Sequence, residues 1–179
     1  MTSGRAREWD TFIGFLAPAS GDRILDIGAG TCKNAARVFE VSKGAEVCAI
    51  DPNEKKIASA RRDRPSVRSS VGVAESLSFP DAHFDKVYST LALHHFANLD
   101  KALDEIARVL KAGGSFVVLE IEPASFSGRL FRVLGKLMGE KLTFMDKEGL
   151  EARVESGGRF RAVRSAKFGG DYLVQFSRS

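Results

Sequence analysis

Two clusters of residues in this sequence have the types and spacing to do chemistry. The first is the run Ile24-Leu-Asp-Ile-Gly-Ala-Gly-Thr-Cys-Lys-Asn-Ala35, in which Gly28-Ala29-Gly30 follows an apolar strand and precedes a helical pattern. Glycine lets the backbone turn tightly and approach a ligand that a Cβ would repel. The start of the helix offers unpaired N–H donors to a carboxylate or phosphate. Asp51 lies 23 residues beyond Gly28, at the end of the next apolar run. A carboxylate in that place can accept both hydroxyls of a ribose. Loop and acid together indicate a nucleoside site, with a purely structural strand–helix turn as the alternative. A dinucleotide fold would carry a third glycine at position 33, where this chain has Lys33.

The second cluster is His94-His95, followed in sequence by Glu120 and Glu122. An imidazole titrates near neutrality and suits a general base. The alternative is that one histidine packs and the other caps the following helix. Both glutamates close an apolar run and would face the same crevice, or serve as exposed turn acids. Cys32 and Cys48 lack metal-ligand spacing and read as buried thiols, so no metal is expected. Placed at a helix start, Cys32 raises a second reading, a thiol of lowered pKa.

Elements of two periods position these residues. Arg23–Ile27 and 46–50 read as buried strands, 67–73 as a weaker one, and 84–89 and 115–120 as two more. Helical spacing recurs through Ala35, Val38 and Phe39, through residues 54–64 up to Pro65, and most clearly over 99–111. There Leu99, Ala102, Leu103, Ile106, Ala107 and Leu110 share one face, with Gly113-Gly114 as the stop. Strand and helix in alternation predict a parallel sheet covered on both faces. Residues 126–139 form a basic amphipathic segment, 147–155 another helix, and the strands flanking Gly169-Gly170 a hairpin. Trp9, Phe12, Phe15 and Leu16 predict a short helix within residues 1–20, packed across the mouth of the crevice.

The chain's 179 residues make one domain, and 44% hydrophobic against 28% charged residues excludes a disordered chain. No apolar run approaches the roughly 20 residues a bilayer requires, and MTSGRAREWD lacks the apolar core of a secretory signal. The expectation is a soluble cytoplasmic protein. Its net charge of +4 is uneven: residues 128–168 hold ten Lys/Arg and five acids. That basic third either meets an anionic partner or is a solvated face.

ILDIGAGT, AIDPN, VAESLSFPDAHFDKVYSTLALHHF and LDKALDEIARVLKAGGSFVVLE, in that order, resemble the class I S-adenosylmethionine-dependent methyltransferases. The nearest likeness is to the type 11 group that includes quinone-biosynthesis C-methyltransferases, over about residues 20–122. The resemblance implies an α/β fold, a Rossmann-like three-layer sandwich on a mostly parallel seven-stranded sheet ending in an antiparallel hairpin. It implies S-adenosyl-L-methionine as cofactor and S-adenosyl-L-homocysteine as product. The cofactor would be held by Asp26, Gly28, Ala29, Gly30, Asp51, Pro52, Val73, Ala74, Glu75, Ser89, Thr90 and Leu91, with Ile57 joining Pro52 on the adenine. His94 and His95 would be the catalytic residues, and 124–158 a lid over the substrate. Two positions depart from the family pattern: Val73 stands where an acid often accepts the adenine amino group, and Cys32 where a third glycine is usual.

Methyl transfer from a sulfonium is an in-line displacement that chiefly needs alignment and a dry cleft. The expected partner is a small-molecule acceptor, apolar or anionic, and not a nucleic acid. Peripheral contact with a membrane is a further use open to the 126–139 segment. Two other readings remain: a cofactor-binding module without transfer activity, and an RNA-modifying enzyme suggested by the pI of 9.2.

Overall fold

Apolar runs separated by helical segments leave one arrangement that buries both, strands side by side under helices on each face. The computed structural model, which describes residues 3–137, 143–168 and 170–179, has that arrangement. Helix α1 (Ser3–Leu16) leads into β1 (Arg23–Ile27), α2 (Lys33–Ser42), β2 (Glu46–Asp51), α3 (Glu54–Asp63) and β3 (Arg68–Val71). Then come β4 (Phe84–Thr90), α4 (Leu99–Val109), β5 (Leu110–Ile121), α5 (Phe126–Leu137), α6 (Lys147–Glu155), β6 (Phe160–Phe168) and β7 (Asp171–Arg178). The strands lie in the order β3-β2-β1-β4-β5-β7-β6. The first five run parallel, and β7 is antiparallel to both of its neighbours. The expected mostly parallel sheet with a reversed C-terminal hairpin is the fold observed.

Alternation along each strand feeds two cores. Ile24, Val47, Ala49, Tyr88, Val117 and Leu173 meet α1, α2 and α3 through Phe12, Phe15, Leu16, Ala35, Val38, Ile57 and Ala60. Leu25, Val87, Phe116, Val118 and Val174 meet α4 and α6 through Leu103, Ile106, Leu150 and Val154. Each fully buried Leu, Ile or Phe contributes roughly 1.5–3 kcal/mol of transfer free energy.

Element ends differ from expectation where side chains, not periodicity, decide. β5 begins at Leu110, so Gly113-Gly114 lies inside a strand. The β4 register slips there between Phe84 and Lys86, which absorbs the glycines as an irregularity. The end of α5 expected at 138–139 and the hairpin residue Gly169 lie outside the described residues. No helix follows β3. Residues 72–83 cross instead as irregular chain, tied down by α4: the Arg108 guanidinium donates to Leu77 O and Phe79 O at 2.8 Å and to Asp81 at 2.7 Å. Glu105 accepts from Leu77 N at 2.7 Å, and at the other end of α4 Glu75 accepts from Asn98 N at 3.0 Å.

Candidate functional site

The glycine loop turns where β1 and β2 end side by side. Gly28 N and Ala29 N both donate to Ile50 O at 2.9 Å, closing the loop back over the neighbouring strand. Gly28 has φ +76°, and a Cβ there would collide with the Ala92 methyl. Backbone conformation and close approach therefore both require glycine. Asp51 is buried at the end of β2; Oδ2 accepts from Gly30 N at 2.8 Å and Oδ1 from Asn53 N at 2.9 Å. These bonds fix the carboxylate against the loop. Asn53 then caps α3, accepting from Lys56 N at 3.1 Å.

Beside the loop opens a cavity of about 410 Å³, lined by Gly28, Asp51, Pro52, Asn53 and Lys56 on one side. Gly72, Val73, Ala74 and Glu75 form a second wall, and Leu91, Ala92, His95, Phe96 and Ala97 a third. Its size suits a small organic ligand, and its position at the carboxyl ends of parallel strands is where open α/β sheets bind one. Leu91 holds φ +53° at the cavity wall, pinned by its N–H to Leu119 O at 2.8 Å. A side chain in that conformation is strained, and such strain gathers at binding sites.

Beneath the loop, Asp26 is fully buried beside the Tyr88 hydroxyl, and among the described residues neither carboxylate oxygen reaches good hydrogen-bond geometry. Burial pushes its carboxyl up to about 7; the Tyr88 hydroxyl draws it down, and the charge of Asp51 raises it. A buried acid whose hydrogen bonding is incomplete, under a glycine loop, fits a ligand that brings a cation, as the amino acid part of S-adenosylmethionine does. Cys32 sits in the left-handed region at φ +59°, which explains why glycine would serve there. Its side chain is fully buried in the α1–α3 core and outside the cavity lining. Burial lifts the thiol to about 11, opposite to the lowered pKa that a helix start suggests.

His94 and His95 lie side by side in different surroundings. His95 lines the cavity. His94 is buried; its Nδ1 is 2.8 Å from Glu120 Oε2, and Glu120 Oε1 accepts from Leu93 N at 2.8 Å. The two imidazoles lie 4.3 Å apart at their centroids, and the His94 ring also stacks on Phe144 at 4.7 Å. Thr143 N donates to His94 O at 3.0 Å and Tyr172 Oη to Met145 O at 3.0 Å, so residues 143–146 strap this side of the molecule. Glu122 pairs with Lys167 at 3.2 Å. A more open hollow of about 520 Å³ follows, lined by Glu122, Arg129, Phe144 and Met145 among others.

Of the residues expected to hold the cofactor, Gly28, Asp51, Pro52, Val73, Ala74, Glu75 and Leu91 line the cavity. Asp26, Ala29, Gly30, Ser89 and Thr90 are not among its lining residues; Ser89 is fully buried, and Thr90 Oγ1 accepts from Asn34 Nδ2 at 3.0 Å. Ile57, placed on the adenine from sequence, is buried in the core. Asn53, Lys56, Gly72, Phe96 and Ala97 also line the cavity and were not expected. Asn53 alone carried a signal, as an Asn directly before a helical pattern. Side chains of α1 meet the sheet face, with Phe12 edge-on to Tyr88 at 5.3 Å, and none of those described lines the cavity. No cluster of three or more metal-ligating side chains occurs among the described residues.

Residues 25–118, just over half of the chain, match the family described as methyltransferase domain. Over 128 residues the chain is 39% identical to the ubiquinone/menaquinone biosynthesis C-methyltransferase of Bordetella parapertussis, covering 67% of this chain and 49% of that one. An S-adenosylmethionine-dependent methyltransferase from Mesorhizobium loti superposes with a TM-score of 0.82 at 20% identity, over 96% of this chain and 97% of that one. The geranyl diphosphate C-methyltransferase of Streptomyces coelicolor A3(2), solved with Mg2+, geranyl diphosphate and S-adenosyl-L-homocysteine, gives 0.81 at 13% identity, over 98% and 81%. These two structures share the fold. The chain spans about half the length of the curated relatives it matches.

Proposed function

We propose a function from one premise: this chain belongs to the methyltransferase domain family. It transfers a methyl group from S-adenosylmethionine to a small acceptor, apolar or anionic, and releases S-adenosylhomocysteine. The carrying observation is the Asp51 carboxylate, locked to Gly30 N and Asn53 N on the wall of a 410 Å³ cavity beside the glycine loop. Asp51 receives the ribose hydroxyls, Pro52 and the 72–75 wall take the adenine, and Asp26 balances the cofactor's ammonium. Ala29 and Gly30 shape the turn, while Ser89 and Thr90 support Leu91 at the end of β4.

When bound, S-adenosylmethionine supplies an electrophilic methyl on a positive sulfur. The sulfur departs neutral, so the protein provides alignment and a dry cleft, worth roughly 7–11 kcal/mol when alignment is good. An acceptor that must lose a proton needs a base, and His94 and His95 take that role. In the tautomer in which His94 donates its Nδ1–H to the Glu120 carboxylate 2.8 Å away, Nε2 is the basic atom of the ring. Residues 124–158 cover the acceptor side, where the 143–146 strap lies against His94. The relative named as a quinone-biosynthesis C-methyltransferase supports a carbon as the methylated atom.

Calorimetric titration with S-adenosylmethionine tests this. Asp51→Ala is expected to weaken binding by about 1.5–3 kcal/mol through loss of charged hydrogen bonds. An unchanged dissociation constant in a variant that still melts cooperatively would refute the ribose assignment.

A further inference from the structure

We propose that the outer face of α5 docks on an anionic lipid surface. Phe126, Leu130, Val133 and Leu137 are 85%, 47%, 57% and 78% exposed. Their spacing of four, three and four places them in one stripe along the helix. The opposite side of α5 faces the protein: Gly128 is buried, and a Cβ there would collide with Glu122 O. Ser125 fixes the entry, its Oγ accepting from Gly128 N at 3.0 Å and donating to Glu122 O at 2.6 Å. The stripe therefore points away from both the sheet and the cavity.

Charge selects the occupant. Arg129 is exposed on the flank of the stripe, and the sequence repeats a basic residue at 132 and 136. These belong to the 128–168 stretch with its ten Lys/Arg against five acids. A short helix with an apolar stripe and a basic flank is the pattern that lies in a bilayer interface, apolar side down and cations at the phosphates. The described part of α5 has 12 residues, and no described helix is long and apolar enough to cross a membrane, so the contact is flat. Docked this way, the molecule would bring the hollow beside Glu122 and Arg129 close to the lipid surface. The inference does not rest on methyl transfer, because docking is read without cofactor or acceptor.

Vesicle flotation of the full chain tests it, with phosphatidylcholine alone and with phosphatidylcholine containing phosphatidylglycerol. The chain is expected to float with the anionic vesicles, less at high salt, and not with the neutral ones. Phe126→Ser with Leu137→Ser should weaken binding at least tenfold, since each loses an apolar contact. Arg129→Glu should weaken it about fivefold or more. Val163→Ser, which removes a 58% exposed side chain from β6, should change nothing. Absence of binding to anionic vesicles would overturn the proposal, as would undiminished binding by the double variant. So would a concentration-dependent dimer in sedimentation that the double variant abolishes, because the stripe would then belong to a second copy.

Discussion

A carboxylic acid sealed beneath the glycine loop, with only the buried Tyr88 hydroxyl beside it, destabilises its own fold once ionised. The Asp26 carboxyl rises from 3.8 to about 7, chiefly through burial. Between those values the folded chain keeps a proton that the unfolded chain has released. Its stability contribution is thus fully present below pH 3.8 and is lost as pH climbs through 7. Asp26→Asn should remove that slope and raise stability above pH 7 by roughly 2–4 kcal/mol, read from denaturant melts across pH. A ligand cation reverses the preference, favouring the carboxylate. Affinity for S-adenosylmethionine should therefore strengthen as pH rises towards 7 in the native chain and stay level in Asp26→Asn. A level profile in both would separate Asp26 from the cofactor. Cys32 shows a different accommodation: the left-handed backbone that suits glycine is kept, and the extra side chain is absorbed by the core.

At the scale of elements, the stretch between β3 and β4 carries the 72–75 wall of the cavity without a helix of its own. One guanidinium replaces it: Arg108 holds three loop groups while Glu105, bonded to it at 2.7 Å, holds a fourth. Arg108→Ala should cost about 1–3 kcal/mol, an amount reduced by its partial exposure, and should weaken cofactor binding at the same time. Thermal melts and titrations of the variant check both, and a loss of stability without loss of affinity would mean the wall stands unaided. Periodicity revealed α4 because a long apolar face repeats, and β1 because its run is buried on both sides. It gave no sight of this brace, since Arg108 and Leu77 are neighbours only once the chain is folded. Phe96 and Ala97 escaped notice for the same reason: a non-repeating turn brings them to the cavity. Ile57 shows the opposite error, a residue near the right motif whose helix face points inward.

Taken whole, the molecule places both clusters at the carboxyl edge of one sheet, which the order of motifs along the chain already implied. Occupying the cavity should stabilise every element around it. At a hundredfold excess over Kd, S-adenosylmethionine adds about 2.7 kcal/mol. For a domain of this size that raises Tm by roughly 5–10 °C, and no shift would mean the cavity serves another ligand. The last consequence concerns α4. It is fastened to the same irregular stretch at both of its ends, through Asn98 and Glu75 at one and through Arg108 and Glu105 at the other. A flap buckled twice to a rigid rod has no hinge of its own. Any displacement of Val73 and its neighbours away from the cavity must therefore carry the rod along with the flap.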